Sequence, residues 1–201
     1  MSLALTQDQL QKFCAIVNFR NEHQHPFLFQ GYLYATDGRI CIRIKDDGSL
    51  KIGTAHNGID YAKIFEGKEN CDLPIPPLPA RIDCPRCNGT GIEHDCLDCD
   101  GTGTAPATKD KRRTLVDCQK CAGAGRVTPA ADAPPCWWCN GRGEEEHNPV
   151  AIGDTHINRI YLAMCAEIPG ARIVRIAGTS VARIKFDGGQ IAIMPTRVRP
   201  E

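Results

Sequence analysis

The pattern of apolar and polar residues predicts a helix near the start of the chain. Thr6 and Gln9 have the spacing of a capping box, in which two side chains satisfy free backbone N–H groups. Apolar residues follow at the intervals of an amphipathic helix, at Leu10, Phe13, Cys14 and Val17. We therefore expect a capped helix with one apolar side.

Strand patterns follow this helix. FLFQGYLYAT at 27–36 is rich in aromatic and apolar residues, and RICIRIKDD at 39–47 alternates isoleucine with basic residues. Asp37 and Gly38 between them form a dipeptide that favours hairpin turns. The sequence therefore predicts two strands joined by a tight turn.

The end of the chain repeats this order. A second helical stripe is formed by Ile157, Tyr161, Met164, Cys165 and Ile168. Three strand patterns separated by glycine turns come next, GARIVRIAG, SVARIKFDGG and QIAIMPTRV. RIKDDG at 43–48 and RIKFDG at 183–188 agree at five of six positions. We expect an α+β fold, a duplicated βαβββ unit with two helices on one face of an antiparallel sheet.

Between the halves, a cysteine pattern replaces the periodicity. The motif C-x-x-C-x-G-x-G, which we call a knuckle, occurs four times, at 84–91, 96–103, 118–125 and 136–143. This pattern divides the chain into a discontinuous α+β domain, 1–83 and 144–201, and a cysteine-rich module, 84–143.

Composition indicates how the cysteines are used. The chain has 201 residues, 42% of them hydrophobic, with 24 basic and 24 acidic side chains, so no overall charge attracts it to nucleic acid or membrane. No apolar run approaches the roughly 20 residues of a membrane span, and the first residues do not resemble a signal peptide. We expect a cytoplasmic protein, in which a content of twelve cysteines indicates metal binding rather than disulfides.

Zinc is the metal that this pattern favours. Structural zinc takes four tetrahedral ligands, and each C-x-x-C turn supplies two sulfurs, so four knuckles make two complete sites. The glycines allow the backbone to fold back and direct N–H groups at the sulfurs. Redox dithiols and iron–sulfur ligation are alternatives, but neither is typical of four evenly repeated knuckles. The predicted ligands are Cys84, Cys87, Cys96, Cys99, Cys118, Cys121, Cys136 and Cys139.

Residues 84–143 resemble the cysteine-rich domain of DnaJ-type chaperones, which carries the same four knuckles. The resemblance implies two Zn²⁺ ions, with the first knuckle sharing an ion with the fourth and the second with the third. Site 1 would then be Cys84, Cys87, Cys136 and Cys139, and site 2 Cys96, Cys99, Cys118 and Cys121. The His-Pro-Asp of a J-domain is missing, because His25 and Pro26 are followed by Phe27.

The flanking segments resemble one domain of a bacterial DNA sliding clamp. The similar motifs are YATDGR at 34–39, IMPTRV at 193–198, ARID at 80–83 and VAIGDTHINRIYLAMC at 150–165. The resemblance implies a clamp-like scaffold with the zinc module at the tip of its central hairpin. A clamp ring needs basic helices around DNA, whereas the two predicted helices have no net charge, which favours a protein partner over encircled duplex.

Two surfaces are candidates for partner binding. Trp137 and Trp138 lie in the fourth knuckle, and tryptophan is enriched at interface anchors. Basic residues alternate along the strands and would meet nucleic acid or an acidic protein, or form a solvated sheet face: Arg39, Arg43, Lys45, Arg183, Lys185, Arg197 and Arg199.

The first functional hypothesis is a non-enzymatic zinc-binding adaptor with a clamp-like scaffold, accessory to DNA replication. The chain shows no Ser-His-Asp order, phosphate loop or carboxylate pair that would indicate an enzyme. The alternatives are a chaperone-like holdase that uses the zinc module, and a nucleic-acid-binding protein that uses the basic strands. A homo-oligomer is compatible with each.

Overall fold

The structure is a computed structural model that describes residues 5–15, 24–54, 60–96, 98–109, 112–128, 133–145, 148–176 and 180–198. Within these residues the fold is α+β and mostly antiparallel sheet. The chain separates into two compact units, which we call the sheet unit (Met1–Ile82 and Glu146–Glu201) and the cysteine unit (Asp83–Glu145). None of the described helices has the length and apolar character needed to span a bilayer.

Two α-helices and a 3-10 helix accompany the strands in the described part of the chain. The helices are α1 (Gln7–Gln11), the 3-10 helix Tyr61–Phe65 and α2 (Arg159–Ala166). The strands are β1 (Phe27–Phe29), β2 (Tyr32–Thr36), β3 (Ile40–Lys45), β4 (Leu73–Pro74), β5 (Thr104–Lys109), β6 (Arg112–Asp117), β7 (Pro149–Ile152), β8 (Thr155–Asn158), β9 (Arg172–Arg175), β10 (Ala182–Phe186) and β11 (Gly189–Ile193).

The sheet unit is built on seven strands in the order β1-β2-β3-β11-β10-β9-β4, with antiparallel neighbours throughout. Strands β3 and β11 join the two halves, with Ile42 opposite Ile191. Strands β7 and β8 form a separate hairpin. The predicted hairpin around Asp37 and Gly38 is confirmed as β2 and β3, as are the three strands at the end of the chain.

One face of this sheet carries the main core. Alternate residues of the central strands point to the same side, and they pack against both helices and the β7–β8 hairpin. The fully buried isoleucines include Ile42, Ile184 and Ile191, and each contributes roughly 1.5–3 kcal/mol by leaving water. Leu10 and Cys165 bring the two helices into this core.

The opposite face is partly covered by the 3-10 helix. Phe27, Tyr34 and Cys41 of the sheet form a second buried cluster with Tyr61 and Phe65. The Tyr34 and Phe27 rings stack with centroids 5.6 Å apart. This face is therefore not open to solvent over its whole width.

Both helices are shorter than the apolar stripes in the sequence predicted. The capping box is confirmed, since Thr6 and Gln9 bond each other's backbone N–H, but α1 ends at Gln11, and Val17 lies outside the described residues. Ile157 belongs to β8, and α2 begins after the N-cap Asn158. The second apolar stripe therefore continues from a strand into a helix.

Two details of the strand prediction were wrong. FLFQGYLYAT is two strands, because Gln30 (φ 48°) and Gly31 (φ 76°) make a tight turn inside it. The matching RIKDDG and RIKFDG lie on β3 and β10. Among the described strands, β3 is the third after α1, whereas β10 is the second after α2. The matching hexapeptides therefore do not lie at equivalent positions of the two halves.

The cysteine unit has little regular structure. Its described residues contain the β5–β6 ribbon and short antiparallel bridges, including one between Asp83 and Glu144. All of its buried apolar side chains, among the described residues, are cysteines. A hydrophobic core of ordinary size is therefore not what holds the unit together.

Candidate metal centres

The four knuckles have the same backbone conformation. In each, the residue after the second cysteine is left-handed: Asn88, Asp100, Ala122 and Asn140 have φ of 49°, 49°, 50° and 51°. Both glycines that follow also have positive φ, between 71° and 82° in all four copies. Glycine adopts this region without strain, which explains its two fixed places in the motif.

This conformation directs a backbone N–H at a sulfur in every knuckle. The N–H of the second glycine donates to the Sγ of the second cysteine, over 3.2 Å in Gly91–Cys87, 3.3 Å in Gly103–Cys99, 3.2 Å in Gly125–Cys121 and 3.1 Å in Gly143–Cys139. Such bonds stabilise the thiolate form of a ligand and fix its direction.

Backbone bonds join the knuckles in pairs. The N–H of Cys84 donates to Gly143 O over 3.0 Å, and that of Cys136 donates to Gly91 O over 2.8 Å. Second and third knuckles pair in the same way, through Cys96 N–H to Gly125 O (2.9 Å) and Cys118 N–H to Gly103 O (2.8 Å).

The paired turns approach so closely that a side chain would not fit between them. A Cβ on Gly91 would fall on the carbonyl oxygen of Gly141, and a Cβ on Gly125 would fall on that of Gly101. Glycine is therefore required at these positions by its neighbours as well as by its backbone angle.

This pairing gathers eight sulfurs into two groups of four. The groups are Cys84, Cys87, Cys136 and Cys139, and Cys96, Cys99, Cys118 and Cys121. Within each group all sulfurs lie within 4.8 Å of one another, and all eight residues are buried. Each group could hold a metal ion. The division is the one that the DnaJ resemblance implies.

The separations between sulfurs exclude disulfides and suit a tetrahedral ion. Cys87 and Cys139 Sγ lie 3.7 Å apart, and the pairs Cys96–Cys118 and Cys99–Cys121 each lie 3.8 Å apart. Disulfide sulfurs are about 2.05 Å apart. Four sulfurs at about 2.3 Å from a central ion form a tetrahedron with edges of about 3.8 Å.

The pKa values show why four thiols in one group need a cation. Burial raises the pKa of Cys96 and of Cys139 to about 12. The backbone N–H of Cys121 is the main cause that lowers the pKa of Cys118. Four thiolates at this spacing therefore coexist only around a positive ion.

Three of the knuckles each have a neighbouring aspartate carboxylate that was not predicted from the sequence. Asp83, Asp95 and Asp117 each precede the first cysteine of a knuckle, and each side chain lies against that knuckle's first glycine. In the fourth knuckle Pro135 takes this place. The D-C-x-x-C repeat was visible in the sequence, but its contact with the glycine turn was not.

The fourth knuckle also carries the two tryptophans. Trp137 and Trp138 remain 55% and 44% exposed and meet edge to face, with ring centroids 5.4 Å apart. The guanidinium of Arg86 lies 4.5 Å from the Trp137 ring centre. Arg86 also pairs with Asp95 and lies 3.6 Å from a carboxylate oxygen of Glu93.

The basic strands do not form the outward surface that the alternation predicted. Arg183 is buried, 5% exposed, and donates to the carbonyl oxygens of Phe65 and Gly67. Burial lowers the pKa of its guanidinium. Arg43 lies 4.3 Å from the Phe65 ring centre and bonds Gln190. Both arginines hold the 3-10 helix segment against the sheet.

The other predicted basic residues lie at the margin of this face. Lys185 contacts Glu69 over 3.5 Å, and Arg39, Lys45 and Arg197 are exposed. Arg199 lies outside the described residues. A continuous basic face for nucleic acid is therefore interrupted at its centre.

Together, the described residues offer two preformed four-sulfur groups and one exposed aromatic pair beside the first group. The thiolates are soft ligands, and no imidazole or carboxylate belongs to either group. Neither a scan against protein-family models nor a search of curated proteins found a match for this chain.

Proposed function

We propose that the protein is a non-enzymatic zinc-binding adaptor whose cysteine unit presents Trp137 and Trp138 to a protein partner. The zinc part rests on the four-sulfur groups. All-thiolate tetrahedral sites with edges near 3.8 Å are typical of structural zinc. Elemental analysis of the reduced protein should return two zinc ions per chain. One ion or none would contradict this assignment.

The proposal of partner binding is supported by a comparison of the fourth knuckle with the other three. The fourth knuckle has the same backbone angles and the same N–H to sulfur bond as the other three, which contain no tryptophan. Trp137 and Trp138 are therefore not needed to build a metal site. Two indoles about half exposed, on a turn fixed by a metal, are typical of interface anchors.

The scaffold part of the proposal is that the sheet unit is clamp-like. Its support is the sheet order, in which a helix and three strands (β1–β3) meet a helix and three strands (β9–β11) at the β3–β11 pair. Such an arrangement is expected for a duplicated unit. The sequence resemblance to sliding clamps is the ground for placing the partner in DNA replication.

A pull-down with a paired control tests the adaptor role. The variant Trp137→Ala/Trp138→Ala should lose a discrete partner and keep two zinc ions. The control Met194→Ala/Val198→Ala removes two apolar side chains of similar fractional exposure from the sheet unit, 54% and 46%, and should keep the partner. Equal capture by both variants would contradict the proposal.

A chaperone-like holdase is the second candidate. The observation that favours it is the exposed apolar area of the cysteine unit, where Leu115, Val116, Trp137 and Trp138 are 74%, 45%, 55% and 44% exposed. A holdase would suppress aggregation of unrelated denatured proteins, whereas an adaptor would bind one partner. A stoichiometric aggregation assay with the tryptophan variant as control separates the two.

A further inference from the structure

The β5–β6 ribbon of the cysteine unit has edges with different chemistry. It is a two-stranded sheet whose register places Pro106 opposite Leu115. Isolated two-stranded ribbons are marginal in water, and an open edge strand is a template for a further strand. Each strand of the ribbon has its second edge free of any other described strand.

Proline determines which residues point to which edge. Because Pro106 has no N–H, its pair with Leu115 must be a non-hydrogen-bonded pair of the ladder. The backbone groups of such pairs point away from the partner strand. The outward positions are therefore Thr104, Pro106 and Thr108 on β5, and Arg113, Leu115 and Asp117 on β6.

The two edges are consequently unequal. The β5 edge lacks a donor at its centre and is blunted, as edge strands with proline commonly are. The β6 edge has an N–H and a C=O at all three outward positions. It also carries exposed apolar side chains, with Leu115 74% and Val116 45% exposed. Strand addition is thus favoured at β6.

We propose that two copies of the chain associate by antiparallel pairing of their β6 strands. The strand reads RRTLVD, and its basic Arg113 and acidic Asp117 lie two residues on either side of Leu115. Two antiparallel copies can therefore place these opposite charges across from each other. With Leu115 on the twofold axis, Arg113 lies opposite Asp117 of the second copy. By symmetry, Asp117 lies opposite Arg113 of the second copy. All three outward residues then form hydrogen-bonded pairs, with opposite charges at both ends.

The neighbouring register is poorer. Sliding the strands by one allowed step places Arg113 opposite Leu115 of the second copy, which separates the charges and leaves two hydrogen-bonded pairs instead of three. Opposite charges directly across a ladder stabilise it, so the symmetric register is favoured. The interface is small, and association is expected at high protein concentration.

Cysteine cross-linking of the zinc-loaded chain tests the register. Residue 115 faces its own copy in a hydrogen-bonded pair, where Cα atoms are about 5.5 Å apart, within disulfide range. Leu115→Cys should therefore give a covalent dimer in a mild thiol–disulfide buffer. Val116→Cys is the matched control: residue 116 faces residue 114 of the second copy, and cross-linking should fall to background. Equal cross-linking of both variants, or none of Leu115→Cys, overturns the proposal.

Sedimentation equilibrium tests the charge pairs without an added thiol. The wild-type chain should approach twice the monomer mass as concentration rises. Arg113→Glu places like charges opposite each other twice, and the dimer should be lost while two zinc ions per chain are kept. A wild-type chain that stays monomeric, an Arg113→Glu dimer of unchanged strength, or occupation of the β6 edge by an extended segment of another protein instead, overturns self-pairing.

Discussion

The two units of the chain have chemically different interiors. The sheet unit buries an apolar cluster in which isoleucine is the commonest residue, including Ile42, Ile184 and Ile191. The cysteine unit buries two groups of four sulfurs and, within its described residues, no other apolar side chain. The first interior is stabilised by excluded water and, in the proposed zinc form, the second is stabilised by metal ions, so the units should respond differently to the same perturbation.

Metal removal should have the largest effect and should be confined to one unit. Zinc binding to thiolate sites contributes about 10–16 kcal/mol, so a chelator should unfold the cysteine unit and leave the sheet unit folded. Both tryptophans, Trp137 and Trp138, lie in the cysteine unit, and all four tyrosines lie in the sheet unit. Chelation should shift tryptophan emission and leave tyrosine near-UV circular dichroism unchanged. A cooperative loss of both signals would show that the units do not fold separately.

A pair of glycine variants compares the units at matched backbone angle. Gly125 and Gly170 both have φ of 72°. Gly170→Ala in the sheet unit meets no atom within 4 Å and should cost about 1–2 kcal/mol of left-handed strain, measured by urea unfolding.

Gly125→Ala in the cysteine unit should cost more, because its Cβ would fall on the carbonyl oxygen of Gly101 and separate the second and third knuckles. We expect zinc affinity at the second group to fall by at least about tenfold, as for other changes around metal ligands, in a chelator competition assay. Equal effects of the two variants would mean that close approach is not the constraint.

The pH should move the units in opposite directions. Burial raises the pKa of Cys41 in the sheet unit to about 12, so the folded thiol stays neutral while an unfolded one ionises near pH 8.5. The stability that Cys41 contributes is complete below that value and falls by about 1.4 kcal/mol per pH unit above it, or about 2 kcal/mol by pH 10. The cysteine unit should instead lose stability in acid, because protons compete with the metal for thiolates.

The control for the alkaline effect is Cys41→Ala, measured under reducing conditions. Its pH slope in urea unfolding should be smaller by one proton, whatever its absolute stability. An unchanged slope would assign the alkaline loss to other groups.

Local sequence was sufficient where a structure is completed within a few residues. A knuckle needs eight consecutive residues, and its cysteines and glycines specify both the turn and the ligands. The hairpin around Asp37 and Gly38 is also local. The division of the sulfurs into two groups came from family resemblance, because the spacing alone does not say which knuckles meet.

Long-range packing could not be predicted from alternation. Arg183 does point away from the main core, as the pattern requires, but the carbonyl that covers it belongs to Phe65, 118 residues away. Alternation of residue types along a strand predicts the face of the sheet on which a side chain lies, but not which residues pack over that face. The same holds for α2, whose apolar stripe included Ile157 although that residue lies in strand β8 of the β7–β8 hairpin.

The smallest expected effect concerns a single cation beside the tryptophans. Arg86 lies over Trp137, whereas Lys120 has the equivalent place in the third knuckle and is exposed. Arg86→Gln should remove a cation–π contact of about 0.5–1 kcal/mol together with the pairs to Asp95 and Glu93, and increase acrylamide quenching of tryptophan emission. Lys120→Gln makes the same charge change and should leave quenching unaltered. Zinc content should stay at two in both.

The bridge between Asp83 and Glu144 has a consequence for engineering the chain. Paired strands lie about 5 Å apart, so the cysteine unit begins and ends at nearly the same point. A segment whose two ends meet is expected to be removable, or transferable to another loop, as one piece. Closing the gap with a two-residue turn should give a viable smaller protein, and the excised segment should keep its two ions when grafted onto another hairpin.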